Sequence, residues 1–89
     1  MPTITFAPAL QRHVPCPPQQ VAACELRTAL EAAFAQAPRL RDYVLDDQGG
    51  VRRHVAVFID GRLLADRRDL TVALDTHSAV YVAQALSGG

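Results

Sequence analysis

Gly88 and Gly89 are the residues with the plainest chemical use. Neither carries a Cβ, so another backbone or a nucleotide can approach closely. A carboxylate on Gly89 is ionised at pH 7 and is a poor electrophile until a leaving group is attached. From Ala85 to Gly89 the extended chain reaches about 17 Å, enough to enter a narrow channel in another protein. The implied chemistry is capture and activation of that carboxyl by a partner enzyme. By itself the dipeptide is better read as a frayed end, so the decision falls to the rest of the chain.

Other chemistry-bearing residues form no catalytic set. Cys16 and Cys24 lack C-x-x-C spacing and are expected as free structural or surface thiols. His13, His54 and His77 share no ligand spacing, so no metal site is expected. Gly49-Gly50 lacks the Lys-Ser/Thr that follows a phosphate loop. Arg52, Arg53, Arg62, Arg67 and Arg68 crowd one region. They read as a solvated face interleaved with Asp60, Asp66 and Asp69, with docking onto an acidic partner surface as the alternative. All nine basic residues are Arg, so no lysine is offered for isopeptide self-conjugation. The chain is not expected to be an enzyme.

The 89 residues are expected to form a single domain, 1–89, with 85–89 as a flexible tail. Apolar residues make up 49% and charged residues 20%, a globular balance. Zero formal net charge argues against a nucleic-acid or anionic-membrane partner. No apolar run approaches the ~20 residues that span a bilayer. Nor is a secretory signal visible after Met1, so a cytoplasmic location is expected.

The elements that would hold out the tail follow from periodicity. Thr3 to Leu10 reads as a strand, with Ile4 and Phe6 on one face and Thr3 and Thr5 on the other. Gln11 to Val21 should return as a second strand, made ragged by Pro15, Pro17 and Pro18, at an edge position or with an early break. Leu26, Ala29, Leu30, Ala33 and Phe34 form one helical stripe over about Glu25 to Gln36, ended by Pro38. No good N-cap stands at Ala23 or Cys24. Leu40 to Leu45 reads as a connector with Leu40, Tyr43 and Val44 inward, and Asp46 to Gly50 as a turn. His54 to Asp60 alternates strongly, and Asp60-Gly61 is a two-residue hairpin signal leading to Arg62-Leu63-Leu64. Leu70, Val72 and Leu74 suggest a brief strand or helical turn. Val80 and Val82 alternate with Tyr81 and Ala83 in a last strand, expected to pair centrally beside the first. The expected class is α+β, a β-grasp: a mixed four- to five-stranded sheet with one main helix across one face. On the free face, Phe58, Tyr81, Leu63 and Ala83, with Ala56 nearby, are candidates for partner docking. An ordinary cross-strand pair is the competing account of Phe58 and Tyr81.

Together ITFAPAL, LRTALEAAFAQAPRLR, HVAVFIDGRLL and VYVAQALSGG, in this order, resemble the MoaD/ThiS family of ubiquitin-like sulfur carriers over about residues 3–89. The DDQGG loop is similar to that of longer members, including carriers used in cysteine synthesis. The resemblance implies that an ATP-dependent, ubiquitin-activating-like enzyme adenylates Gly89. A sulfur donor then displaces AMP to leave a 1-thioglycine thiocarboxylate, and a sulfur-acceptor synthase subunit takes the sulfur. It further implies that Gly88, Ser87 and Leu86 thread into the partner, Leu86 filling an apolar notch. No bound cofactor is implied, since ATP belongs to the partner. The acceptor stays open among molybdopterin, thiamine, cysteine and related thio-metabolites. A protein modifier joined through Gly89 and a non-covalent binding module are the alternatives.

Overall fold

The computed structural model describes residues 1–12, 14–22 and 24–84. Eight elements follow one another: β1 (Thr3–Phe6), α1 (Pro8–Gln11), β2 (Gln19–Gln20), α2 (Leu26–Gln36), α3 (Pro38–Val44), β3 (Val55–Ile59), β4 (Arg62–Leu63) and β5 (Ala79–Gln84). The strands form one mixed sheet in the order β2-β1-β5-β3-β4. β5 lies at its centre. It runs parallel to β1, with Phe6 beside Val82, and antiparallel to β3, with Val55 beside Gln84. This is the expected β-grasp, with the last strand beside the first.

Alternation decides which face is covered. Ile4, Phe6, Val55, Val57, Val80 and Val82 turn to one side and are buried. The five stripe residues of α2 are buried against that side, and the Phe6 and Phe34 rings meet with centroids 6.0 Å apart. Ala29 and Ala33 are fully buried, and their small side chains let the helix lie close to the sheet.

Two prolines begin helices where the sequence reading had them ending elements. Pro8 does not merely close a long first strand: β1 stops at Phe6, and α1 opens with Pro8 in its first turn. Pro38 likewise stands at the start of α3, so Leu40 to Leu45 is largely helix rather than connector. A proline at a helix start gives up an N–H that has no intrahelical partner anyway. Tyr43 is exposed rather than inward, while Leu40 and Val44 are buried. The second strand shrinks to Gln19–Gln20, at the sheet edge and after the three prolines.

The start of α2 has no side-chain cap at Glu25. Its first N–H groups are satisfied across the chain instead. The Leu26 amide donates to the Val72 carbonyl at 2.9 Å and the Arg27 amide to the Leu70 carbonyl at 2.7 Å. The Leu74 amide returns a bond to the Cys24 carbonyl at 2.9 Å, and Glu25 bridges Ala73. Residues 70–74 are thus an extended strap that caps the helix and buries Leu70 and Leu74. Ala23 and His13 lie outside the described residues.

Candidate functional site

The hairpin beneath the candidate docking face turns as its residues require. Asp60 and Gly61 both have positive φ, 52° and 83°, as a tight two-residue turn between right-twisting strands demands. The Asp60 amide donates to the Ala79 carbonyl at 2.8 Å, and the Ala79 amide donates to Asp60 Oδ1 at 2.8 Å. Those bonds tie the hairpin to the start of β5.

Register then gathers the predicted docking residues on the open face. Phe58 sits opposite both Leu63 on β4 and Tyr81 on β5, and Ala56 sits opposite Ala83. Tyr81 in turn lies beside Thr5 of β1. Leu63 is 61% exposed and Tyr81 40%, with Phe58, Ala56 and Ala83 half-buried between them. An apolar strip therefore crosses β4, β3 and β5 on the face that α2 leaves open. Val72, which the sequence reading assigned only to a brief strand or turn, is exposed. With Ile59, Leu63 and Leu64 it lines a groove of about 460 Å³ along the β4 edge. Its nearness to Leu63 is a product of the strap's path and has no local sequence signal.

At the other end of β5 the chain passes from Gln84, paired with Val55, into residues 85–89. Gly89, Gly88, Ser87 and Leu86 lie outside the described residues, so the expectations for them are taken up as a proposal below.

The arginines do not act as one uniform solvated face. Arg67 is half-buried, and its Nη2 donates to the carbonyls of Arg52 and Val55. Arg27, on α2, donates to the carbonyls of Gly49 at 3.2 Å and Arg68 at 3.5 Å. Arg52 donates through Nε to the Asp42 carbonyl at 2.7 Å. These guanidiniums staple loops by satisfying carbonyls that form no ladder. Asp46 organises the turn that follows it, accepting the Gln48 amide at 2.9 Å and the Gly50 amide at 3.0 Å on one oxygen. The bond from Gly50, then that from Gln48, with Arg52 and Arg68 nearby, holds its carboxyl below the usual carboxylate range.

Both cysteines are free thiols, Cys16 buried and Cys24 exposed. Burial pushes the Cys16 thiol up, with a smaller opposing effect from Gln19, so it is not poised as a nucleophile. His54 and His77 are exposed, and His54 precedes β3 rather than belonging to it. Among the described residues no three His, Cys, Asp or Glu side chains gather as a metal site. No helix among them is long and apolar enough to cross a membrane.

No family model matches the sequence, and no curated protein matches it. Solved structures do. SAMP1 from Haloferax volcanii is 21% identical, with a TM-score of 0.80 over 99% of this chain and 98% of that one. Mycobacterium tuberculosis CysO is 15% identical, with a TM-score of 0.81 over 97% of this chain and all of that one. A chain of the Amycolatopsis orientalis BexX/CysO complex is 10% identical, with a TM-score of 0.80 over 100% of both. At these identities the likeness is one of fold. With its central parallel β1/β5 pair, its crossing helix and its short edge strands, the chain has the ubiquitin-like β-grasp fold that it shares with SAMP1 and CysO.

Proposed function

We propose that this protein is a sulfur carrier whose Gly89 carboxylate is adenylated by an ATP-dependent activating enzyme and converted to a thiocarboxylate for a biosynthetic acceptor. The observation that carries the reading is the fold likeness to CysO and SAMP1 over nearly the whole of each chain, and the Gly88-Gly89 pair beyond β5 suits the chemistry that the resemblance implies. The likeness to a chain of a BexX/CysO complex supports a working life in association with a partner protein.

The chemistry follows from the weakness of a carboxylate as an electrophile. Attack by the Gly89 carboxylate on the α-phosphorus of ATP expels pyrophosphate and leaves an acyl adenylate. The terminal sulfur of a donor persulfide then adds to the carbonyl, and AMP departs. A thiol cleaves the remaining S–S bond, releasing the thiocarboxylate and leaving the donor sulfur as a disulfide with that thiol. The carrier contributes recognition and reach, and its partner contributes the ATP site and the charge stabilisation. Phe58, Tyr81, Leu63 and Ala83 form the face that docks on the enzymes. Leu86, Ser87 and Gly88 pass into the channel, small enough for close approach.

The test is intact-chain mass spectrometry after incubation with an activating enzyme, ATP and a persulfide donor. A gain of about 16 Da, oxygen replaced by sulfur, is expected, and a chain lacking Gly89 should show none. A second reading has support of its own, because Haloferax volcanii SAMP1 is named small archaeal modifier protein 1. If Gly89 appears instead in isopeptide adducts on other proteins, with no thiocarboxylate, the modifier reading replaces the carrier one.

A further inference from the structure

Residues 14–18, Val-Pro-Cys-Pro-Pro, lie between α1 and β2 and belong to neither. Each proline ring holds φ at about −65°. Val14, Cys16 and Pro17 each precede a proline, which disfavours helical geometry and leaves them extended. No peptide bond among the described residues is cis. Residues 15–18 make no backbone hydrogen bond to any other described backbone group. Fixed φ, extended ψ and an unpaired backbone describe a short left-handed polyproline II helix.

Such a helix repeats every three residues, a rise of about 9 Å. Pro15 and Pro18 therefore share one edge, Val14 and Pro17 a second, and Cys16 stands alone on the third. The fold buries that third edge. Cys16 is 1% exposed and belongs to the core, whereas Pro15, Pro17 and Pro18 are exposed and Val14 is half-buried. Both ends of the segment are pinned. The Val14 amide donates to the Leu10 carbonyl at 3.3 Å, and Gln19 pairs with Ile4. Gln19 Nε2 also reaches back to the Pro17 carbonyl at 3.0 Å. Prolines that only blunt a sheet edge need no particular spacing. Here their spacing turns one residue into the core and keeps the proline edges in solvent.

We propose that residues 14–18 are a docking segment for a partner domain whose groove is lined by aromatic side chains and takes a polyproline II helix. Proline rings on adjacent edges of such a helix fit the slots between aromatic rings. A segment anchored through Cys16 and at both ends arrives already ordered, so little conformational entropy is lost on binding. The Pro15, Cys16 and Pro18 carbonyls have no hydrogen-bond partner among the described residues. They can accept from the Tyr hydroxyl or Trp indole N–H groups of such a groove. The segment leads into β2, at the opposite end of the sheet order from Leu63 on β4. Its occupancy therefore needs neither the face of Phe58 and Tyr81 nor the tail.

The probes are an SH3 domain and a WW domain, each titrated into the full ¹⁵N-labelled chain. With at least one of them, saturable amide shifts centred on Val14, Cys16 and Gln19 are expected, since the prolines have no amide. Pro15→Ala/Pro18→Ala should weaken that binding at least about tenfold. Both side chains are exposed, so the variant should keep its spectrum elsewhere. Should it lose its fold, Pro18→Ala alone replaces it, with weakened binding expected again. A chain without Gly88 and Gly89 should bind unchanged, which separates this site from the fate of the tail. Absence of saturable shifts with both domains, shifts centred away from residues 14–19, or undiminished binding by the proline variant would overturn the proposal.

Discussion

Asp46 shows how one carboxylate governs a loop that its neighbours only fill. Its Oδ1 gathers two amides and closes the turn over Asp47, Gln48 and Gly49, while its own amide donates to the Gly50 carbonyl at 2.8 Å. Gly49 takes φ 82°, where a side chain is disfavoured, and a Cβ there would stand 3.0 Å from Arg27 Nη1. Because those amides favour the charged form, the folded-state pKa of Asp46 is depressed. Its contribution is therefore present above the unfolded value of about 3.9 and disappears as pH falls through the lower folded value. Asp46→Asn should lower the urea midpoint at pH 7, and the gap to the wild type should hold down to about pH 4 and close below it. A gap that stayed constant to pH 2 would mean that the carboxylate's charge is not what stabilises the turn.

Helix α2 draws its stability from burial and from the strap at residues 70–74, having no capping side chain of its own. Its buried stripe was legible in the spacing of Leu26, Ala29, Leu30, Ala33 and Phe34, since a period of 3.6 needs no tertiary information. The closeness of its approach rests on Ala29 and Ala33. Ala33→Leu should cost about 1–3 kcal/mol by forcing extra methyl groups into a filled core. Ala32→Leu, on the exposed side of the same turn, should stay within about 0.5 kcal/mol of the wild type. Urea unfolding of the two variants measures the contrast. The proline-led helices α1 and α3 were not legible. Pro8 and Pro38 suit a helix start as well as an element's end, and each helix is too short for its periodicity to decide. Only the burial of Leu10, Leu40 and Leu45 in the common core makes those turns worthwhile.

In the assembled molecule the covered and open faces of the sheet take different tasks. The buried face holds β5 centrally between two neighbours up to Gln84. The open face carries the strip of Leu63, Phe58 and Tyr81. Phe58→Asp/Tyr81→Asp places charge on the open face while leaving the core side chains intact. Its urea midpoint should fall, since Phe58 is half-buried and the two carboxylates stand directly opposite, so rates are compared where both chains are fully folded. Its rate of thiocarboxylate formation at limiting activating enzyme should fall at least about tenfold, a loss of about 1.4 kcal/mol. An unchanged rate would remove this face from the docking surface and leave Phe58 and Tyr81 as a cross-strand pair.

What local residue order determined was the class of fold and the central hairpin. Strand alternation, one helical stripe and a turn needing positive φ at Asp60 and Gly61 are properties of neighbours in sequence. The resemblance carried by these segments extended to the diglycine and its implied chemistry. Tertiary structure alone decided the capping of α2 by the Leu70 and Val72 carbonyls, the meeting of Val72 with Leu63, and the division of the arginines into staples and exposed groups. Each depends on where distant backbone carbonyls and loops come to rest, and only the packed chain sets those positions.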